Sequence, residues 1–287
     1  MASMVSRMFK MAVPSVAVAA GALLLSDDDR RGSLFRKAYA FTDCHSNKSF
    51  DEQFPRGSWN KNWDFREPET LVSRKKYEKA DEEGRKKLLQ ECKATATRHI
   101  FLIRHGQYHL DRDVRSLTPL GREQADLLGK RLATSEIKFS KMTMSTMIRA
   151  TETARIILSH FPDNFPSSSC PMIEEGPPYP PVPENKEWRP SQPEFYTEGA
   201  RIEAAFRKYF HRASPTQKED SYELITCHAN VIRYFVCRAL QFPPEGWLRM
   251  SLGNCSITWI TIRPTGNVSI RSIGDIGHLE PSKISFT

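Results

Sequence analysis

From His99 onward, short apolar runs alternate with stretches whose apolar residues recur every three or four positions, whereas residues 26 to 95 hold no sustained apolar period. Ile100 to Ile103 is a run of large side chains that predicts a strand buried on both faces. It stops on Arg104-His105-Gly106, where glycine permits a tight turn or the close approach of a ligand. Thr118 as N-cap and Pro119 at the first helical position open a helix with Leu120, Ala125, Leu127, Leu128 and Leu132 on its apolar face. Lys141 to Ser145 reads as a strand and Thr146 to Leu158 as a helix, with Ile148, Ile156 and Ile157 towards the core. Residues 162 to 194 are rich in Pro and predict a long structured loop. Arg201 to His211 is an amphipathic helix, Tyr222 to Thr226 a second buried strand, and Val231 to Leu240 a helix. Ser256 to Ile262 and Val268 to Ile273 read as a hairpin around Pro264-Thr265-Gly266. The alternation predicts an α/β domain of three layers, a mainly parallel central sheet flanked by helices.

Upstream of this domain the organisation changes. Met11 to Leu25 is apolar apart from Ser15, follows Arg7 and Lys10, and is closed by Asp27-Asp28-Asp29. A membrane anchor and a secretory signal peptide both fit that pattern. Ala38-Tyr39-Ala40 is a small-residue cleavage site for the second reading, but it lies far beyond the apolar run, and this favours the anchor. The expected divisions are an anchor over 1–26, an adaptable arm over 27–95 and a catalytic domain over 96–287. Trp59 to Phe65 interrupts the polar arm with two Trp and a Phe, which predicts docking on this chain's own domain or on another copy's. Lys75 to Lys93 reads as a solvated, charged helix.

Among the 287 residues the formal charge is +8, a mild excess that favours anionic partners such as phosphate esters or an anionic membrane surface. Lys and Arg are scattered without a binding motif, so no nucleic-acid partner is expected. The 6 Cys show no C-x-x-C spacing, so neither a zinc site nor a disulfide framework is expected.

The chemistry gathers at strand ends and loops: Arg104 and His105, Arg149, the Glu174-Glu175 pair and His228. A solvated strand end is the ordinary reading of any one of them. Together they meet the requirements of phosphoryl transfer through a covalent histidine. A neutral imidazole attacks phosphorus when its other nitrogen is held by a hydrogen bond. Two guanidinium forks and a second His hold the charge of the transferring group. A carboxylic acid with a raised pKa protonates the leaving alcohol. No metal or other cofactor is required.

Leu102-Ile103-Arg104-His105-Gly106, Leu117-Thr118-Pro119-Leu120-Gly121-Arg122-Glu123-Gln124-Ala125, Ser145-Thr146-Met147-Ile148-Arg149-Ala150 and Cys227-His228-Ala229-Asn230 resemble, in order, the motifs of the histidine phosphatase superfamily, phosphoglycerate mutase branch. The resemblance spans residues 98 to about 275 and implies a phosphoglycerate mutase-like fold. It also implies His105 as the phosphorylated nucleophile, with Arg104, Arg149, His228 and the Ala229 amide on the phosphoryl group. The Glu before Gly in the loop, Glu175, becomes the acid; Glu174 is the weaker candidate.

Within that family the chain is most similar to the mitochondrial Ser/Thr protein phosphatases. Trp59-Asn60-Lys61-Asn62-Trp63-Asp64 is similar to their W-D-x-N-W-D assembly motif, and Ala200 to Arg207 and Ala239 to Arg249 resemble their helices. Their membrane segment has the position of the run at 11 to 25. Phosphorylated proteins, further copies of the chain through Trp59, Asn62, Trp63 and Asp64, and a mitochondrial membrane, the outer favoured over the inner, are the implied partners. Mitochondrial quality control and cell-death signalling are the implied setting. Asn60 departs from the motif's first Asp, and Asp81-Glu82-Glu83-Gly84 stands where an E-S-G-E type segment for a Kelch-type ubiquitin-ligase adaptor would lie. Two other functions compete: a small-molecule phosphatase or mutase of the same fold, and an anchored scaffold whose catalysis is incidental.

Overall fold

The computed structural model describes residues 58–111 and 113–286, and those from Trp59 onward form one compact unit. The apolar run assigned to an anchor and the cleavage-site candidate lie outside the described residues. Among the described residues no helix is long and apolar enough to cross a membrane.

Six strands build one sheet: β1 (Arg98–Arg104), β2 (Lys141–Met144), β3 (Ser167–Ser169), β4 (Ser221–Cys227), β5 (Ile257–Ile262) and β6 (Val268–Asp275), in the order β3-β2-β4-β1-β5-β6. β3, β2, β4 and β1 run parallel, and β5 and β6 add an antiparallel hairpin, so the sheet is mixed. The short connection around Gly266 (φ +81°) dictates the antiparallel pairing. β1 is central, and successive side chains of a strand point to opposite faces. Ile100 and Leu102 therefore enter one core with Phe206, Phe210, Ile232 and Phe235, while Phe101 and Ile103 enter the other with Leu128, Met142 and Ile157. Helices α4 (Pro119–Ala133) and α5 (Ile148–Leu158) cover the second face; α6 (Gln192–Tyr209) and α7 (Ala229–Ala239) cover the first. This is the three-layer α/β architecture that the alternation predicts.

Details differ from the sequence reading. Ile148, expected in the core, is 49% exposed because it is the first residue of α5 and points outward there. The Pro-rich segment contains β3 and a 3-10 turn at Pro171–Ile173, and α6 starts at Gln192, well before Arg201. A reciprocal capping box starts that helix: Ser191 Oγ accepts from the Glu194 amide (3.4 Å), and Glu194 Oε2 accepts from the Ser191 amide (2.7 Å).

The described part of the arm carries three short helices, α1 (Pro68–Leu71), α2 (Arg74–Lys79) and α3 (Glu82–Glu91), none of which buries a residue. Its contact with the domain is made by the motif before them. Trp63 is buried beside Phe206, and its Nε1–H donates to the Gly266 carbonyl (2.8 Å). The Asp64 side chain is fully enclosed (0% exposed) and takes the Arg212 guanidinium at 2.6 Å, while Arg212 Nη1 reaches Glu67 at 2.9 Å. Asn62 closes the arm on itself, accepting from the Glu67 amide and donating to Thr70. Trp59 is left at the surface, 37% exposed.

Candidate active site

The pairing of β1 with β4 builds the site. Their parallel register sets Arg104 opposite Cys227, so the residues that follow, His105 and His228, leave the same sheet edge side by side. The His105 amide donates to the Cys227 carbonyl (3.1 Å), and the two imidazole centroids are 5.1 Å apart. Both rings are almost wholly buried. β2 delivers Ser145 to this edge, and Arg149 follows on the first turn of α5. Open α/β sheets bind ligands at the carboxyl ends of their strands, which is where these groups lie.

The tautomer of His105 is fixed by its neighbour. A carbonyl only accepts, so Nδ1 carries the proton and donates to the Gly106 oxygen (2.8 Å). Nε2 keeps its lone pair and accepts from Arg149 Nε (3.2 Å). Burial, reinforced by the charges of Arg104 and Arg149, holds the His105 pKa well below its ordinary value, so the ring is neutral at pH 7. Burial does the same to His228, assisted by the charges of Arg149 and Arg104. His228 Nε2 meets Ser145 Oγ (2.8 Å), and its Nδ1 is buried without a partner. That nitrogen is open to a phosphoryl oxygen. Burial also lowers the Arg104 pKa, to about 10, which leaves it charged at pH 7. Its Nη1 donates to the Leu252 carbonyl (2.6 Å).

Glu175 stands on the loop after the 3-10 turn and faces this group of cations. Burial raises its pKa, and Arg149, the Gly176 amide and Arg104 counter only part of that rise. A carboxyl in that position carries a proton to a higher pH than an ordinary Glu and is suited to act as an acid. Glu174 turns away to the Thr146 hydroxyl. The arrangement therefore separates the two carboxylates that spacing alone left paired. Ala229 opens α7, so its amide lies at a helix N-terminus beside the imidazoles.

The loop after the nucleophile is clamped by close packing. A Cβ on Gly121 would come within 1.9 Å of the Gln107 carbonyl oxygen, and one on Gly106 within 2.5 Å of the Gly121 oxygen. Only two glycines let α4 approach the His105 loop this closely. The Gly106 amide donates to Thr153 Oγ1 (3.0 Å), and the Gln107 amide to Gln124 Oε1 (2.9 Å). Gln124 Nε2 in turn donates to the Lys283 carbonyl and to Ser285 Oγ, and Ser285 Oγ donates to Asn254 Oδ1. Asn254 Nδ2 closes the circuit on the His105 carbonyl (3.2 Å).

The comparisons with known proteins agree with this geometry. Residues 100–275 match the model of the histidine phosphatase superfamily (branch 1). The chain belongs to that family. It is 72% identical to the mitochondrial serine/threonine-protein phosphatase Pgam5 of Caenorhabditis elegans over 284 residues, covering 99% of this chain and 100% of that one. The human protein of that name is 54% identical over 233 residues, 80% of each chain. Among solved structures, Bacillus stearothermophilus YhfR aligns with a TM-score of 0.50 at 19% identity, over 64% of this chain and all of that one, which speaks for the fold.

Sequence reasoning brought together Arg104, His105, Arg149, Glu175, His228 and Ala229, and the structure assembles all six around one edge. It passed over Tyr108, whose ring meets His105 edge-on at 5.2 Å and lies 4.8 Å under the Arg149 guanidinium. It also passed over Ser145 and Asn254. Ser145 stood within a family motif and was readable as a polar residue ending a strand. Asn254 gives no local signal, because its partner lies 149 residues away.

Proposed function

We propose that this chain is a mitochondrial, membrane-anchored phosphatase of phosphoSer and phosphoThr in proteins, working through a phosphohistidine on His105. The observation that carries the mechanism is the His105 ring: neutral, proton on Nδ1, lone pair on Nε2, between two guanidinium groups. Nε2 attacks phosphorus; the P–N bond forms as the P–O ester bond breaks, and the Glu175 carboxyl gives its proton to the leaving Ser or Thr oxygen. Water then attacks the phosphohistidine, Glu175 takes back a proton, and phosphate departs. Arg104, Arg149, His228 and the Ala229 amide hold the phosphoryl oxygens, and their charge counts most as negative charge spreads in the transition state. The names of the relatives, which call them mitochondrial serine/threonine-protein phosphatases, support the substrate class and the compartment. The apolar run before residue 26 supports the anchor, with the outer membrane favoured. The test is a rapid quench with a labelled phosphopeptide: acid-labile, alkali-stable label is expected on the peptide that contains His105. Label confined to another residue, or none during turnover, overturns the mechanism.

The arm serves assembly in this reading. Trp63 and Asp64 hold it on the domain, Asn62 closes it on itself, and Trp59 is presented outward to a second copy. Trp59→Ala is expected to shift the sedimentation profile of a chain lacking the anchor towards smaller species, with phosphatase activity per folded chain retained. An unchanged profile removes Trp59 from assembly.

A further inference from the structure

The loop bearing Glu175 is held from outside by one side chain. Arg201, in the middle of α6, donates through Nη1 to the carbonyls of Pro171 (3.4 Å), Met172 (2.8 Å) and Glu174 (2.9 Å), and through Nη2 to that of Glu175 (3.3 Å). Glu198, one turn earlier, takes the Nε of the same guanidinium at 3.1 Å and orients it. The pair fills the space beside the next residue: a Cβ on Gly176 would lie 2.3 Å from Glu198 Oε2 and 2.8 Å from Arg201 Nη2. Four carbonyls of an irregular segment thus converge on one planar cation, whose rigid fork is suited to several acceptors at once. The 3-10 turn is also anchored by Ile173, fully buried in the first core, and Glu174 by the Thr146 hydroxyl, so it is the backbone at Glu175 and Gly176 that has the fewest other ties. The neighbouring helices contribute Asn230, whose side chain reaches the Gly176 carbonyl only at 3.5 Å, and Met147, whose sulfur receives the Glu175 amide at 3.4 Å.

We infer that Arg201 is a positioning residue for the acid step: it sets the backbone from which Glu175 reaches the leaving oxygen, and touches neither substrate nor nucleophile. The inference rests on the reading of Glu175 as the proton donor. Its chemical consequence is selective. An alkoxide leaving from phosphoserine needs the Glu175 proton as the P–O bond breaks, whereas p-nitrophenolate leaves without one. A misplaced Glu175 therefore slows the first and spares the second.

The experiment measures the burst of leaving-group release, which reports phosphohistidine formation alone, for a phosphoserine peptide and for p-nitrophenyl phosphate in wild type, Arg201→Ala, Arg201→Lys and Glu175→Gln. Arg201→Ala is expected to slow the burst with the peptide by roughly ten- to a hundredfold, part of the roughly 10²–10⁴-fold that general acid catalysis supplies, because Glu175 is misplaced and not removed, and that with p-nitrophenyl phosphate by less than about threefold on the same ground. KM for the peptide should change little. Arg201→Lys, which keeps the charge but offers no fork, should fall between and stands in if the Ala variant does not fold. The p-nitrophenyl phosphate burst itself reports an intact His105 site. Equal losses on both substrates, or no loss on either, with Glu175→Gln still selective for the peptide, overturn the role of Arg201. If Glu175→Gln shows no selectivity, the proton donor is another group and the inference falls with it.

Discussion

Replacing His105 with Ala is expected to abolish phosphopeptide turnover while leaving the fold intact, a loss on the order of 10³-fold or more. The size follows from the chemistry, since His105 offers the lone pair to phosphorus, while the other neutral imidazole, His228, is engaged through Nε2 with the Ser145 hydroxyl and is assigned to hold a phosphoryl oxygen. The tolerance of the fold follows from the charge. The His105 ring is neutral, so its removal strips no buried ion of a countercharge, and only the Arg149 Nε loses an acceptor. The same ring sets one limb of the pH profile. Its native pKa is depressed, so it stays nucleophilic as pH falls below the ordinary value of 6.5 and fails only lower down. Glu175 sets the other limb: its pKa is raised, and the acid is lost as pH climbs through that raised value. A bell-shaped kcat/KM is expected, with Glu175→Gln lowering the rate and removing the high-pH limb. Residual turnover by His105→Ala at more than a percent or so of wild type would transfer the nucleophile's role elsewhere.

Arg212→Ala carries the largest expected effect on stability. It leaves the Asp64 carboxylate enclosed without its countercharge and removes a partner of Glu67. Breaking one side of a buried pair costs about 3–5 kcal/mol, which at this chain length is a fall in Tm of roughly 10 °C. Asp64→Asn with Arg212→Ala should cost less than the sum of the two single changes, because the stranded charge disappears. Acid has a parallel effect of defined sign. Burial pushes the Asp64 carboxyl up, but its bonds to Arg212 more than reverse this, so its native pKa lies below 3.8. The stabilisation is therefore complete above 3.8 and fades as pH falls through the lowered native value. A melting curve of Arg212→Ala that coincides with wild type would show that the arm's ion pair is dispensable.

The centre of the fold was legible where the local pattern agreed with the tertiary structure. Ile100 to Ile103 is apolar on every residue because β1 is covered on both faces, and Thr118-Pro119 caps α4 as its chemistry demands. β3 was illegible for the opposite reason: three Ser at a sheet edge pair through their backbone and need no apolar side chain. The start of α6 was written in Ser191-Gln192-Pro193-Glu194, but the density of Pro before it masks a signal that Pro at the start of a helix reinforces. Arg104, His105 and His228 were readable because strand ends carry them, and Arg149 and Glu175 because a polar residue on the following helix or loop completes that motif. Arg201 was not, since its acceptors are carbonyls, and a backbone carbonyl has no letter in the sequence.

The circuit that joins Gln107 and His105 to Lys283 and Ser285 has a temporal consequence. During synthesis, β1 emerges early but finds its neighbour β4 only after Cys227 has left the ribosome, and β5 later still. Gln124 and Asn254 receive their last partners only when Ser285 emerges. A nascent chain that has exposed His228 but not Ser285 thus holds every catalytic side chain outside the exit tunnel and yet lacks the outer supports of Gln124 and Asn254.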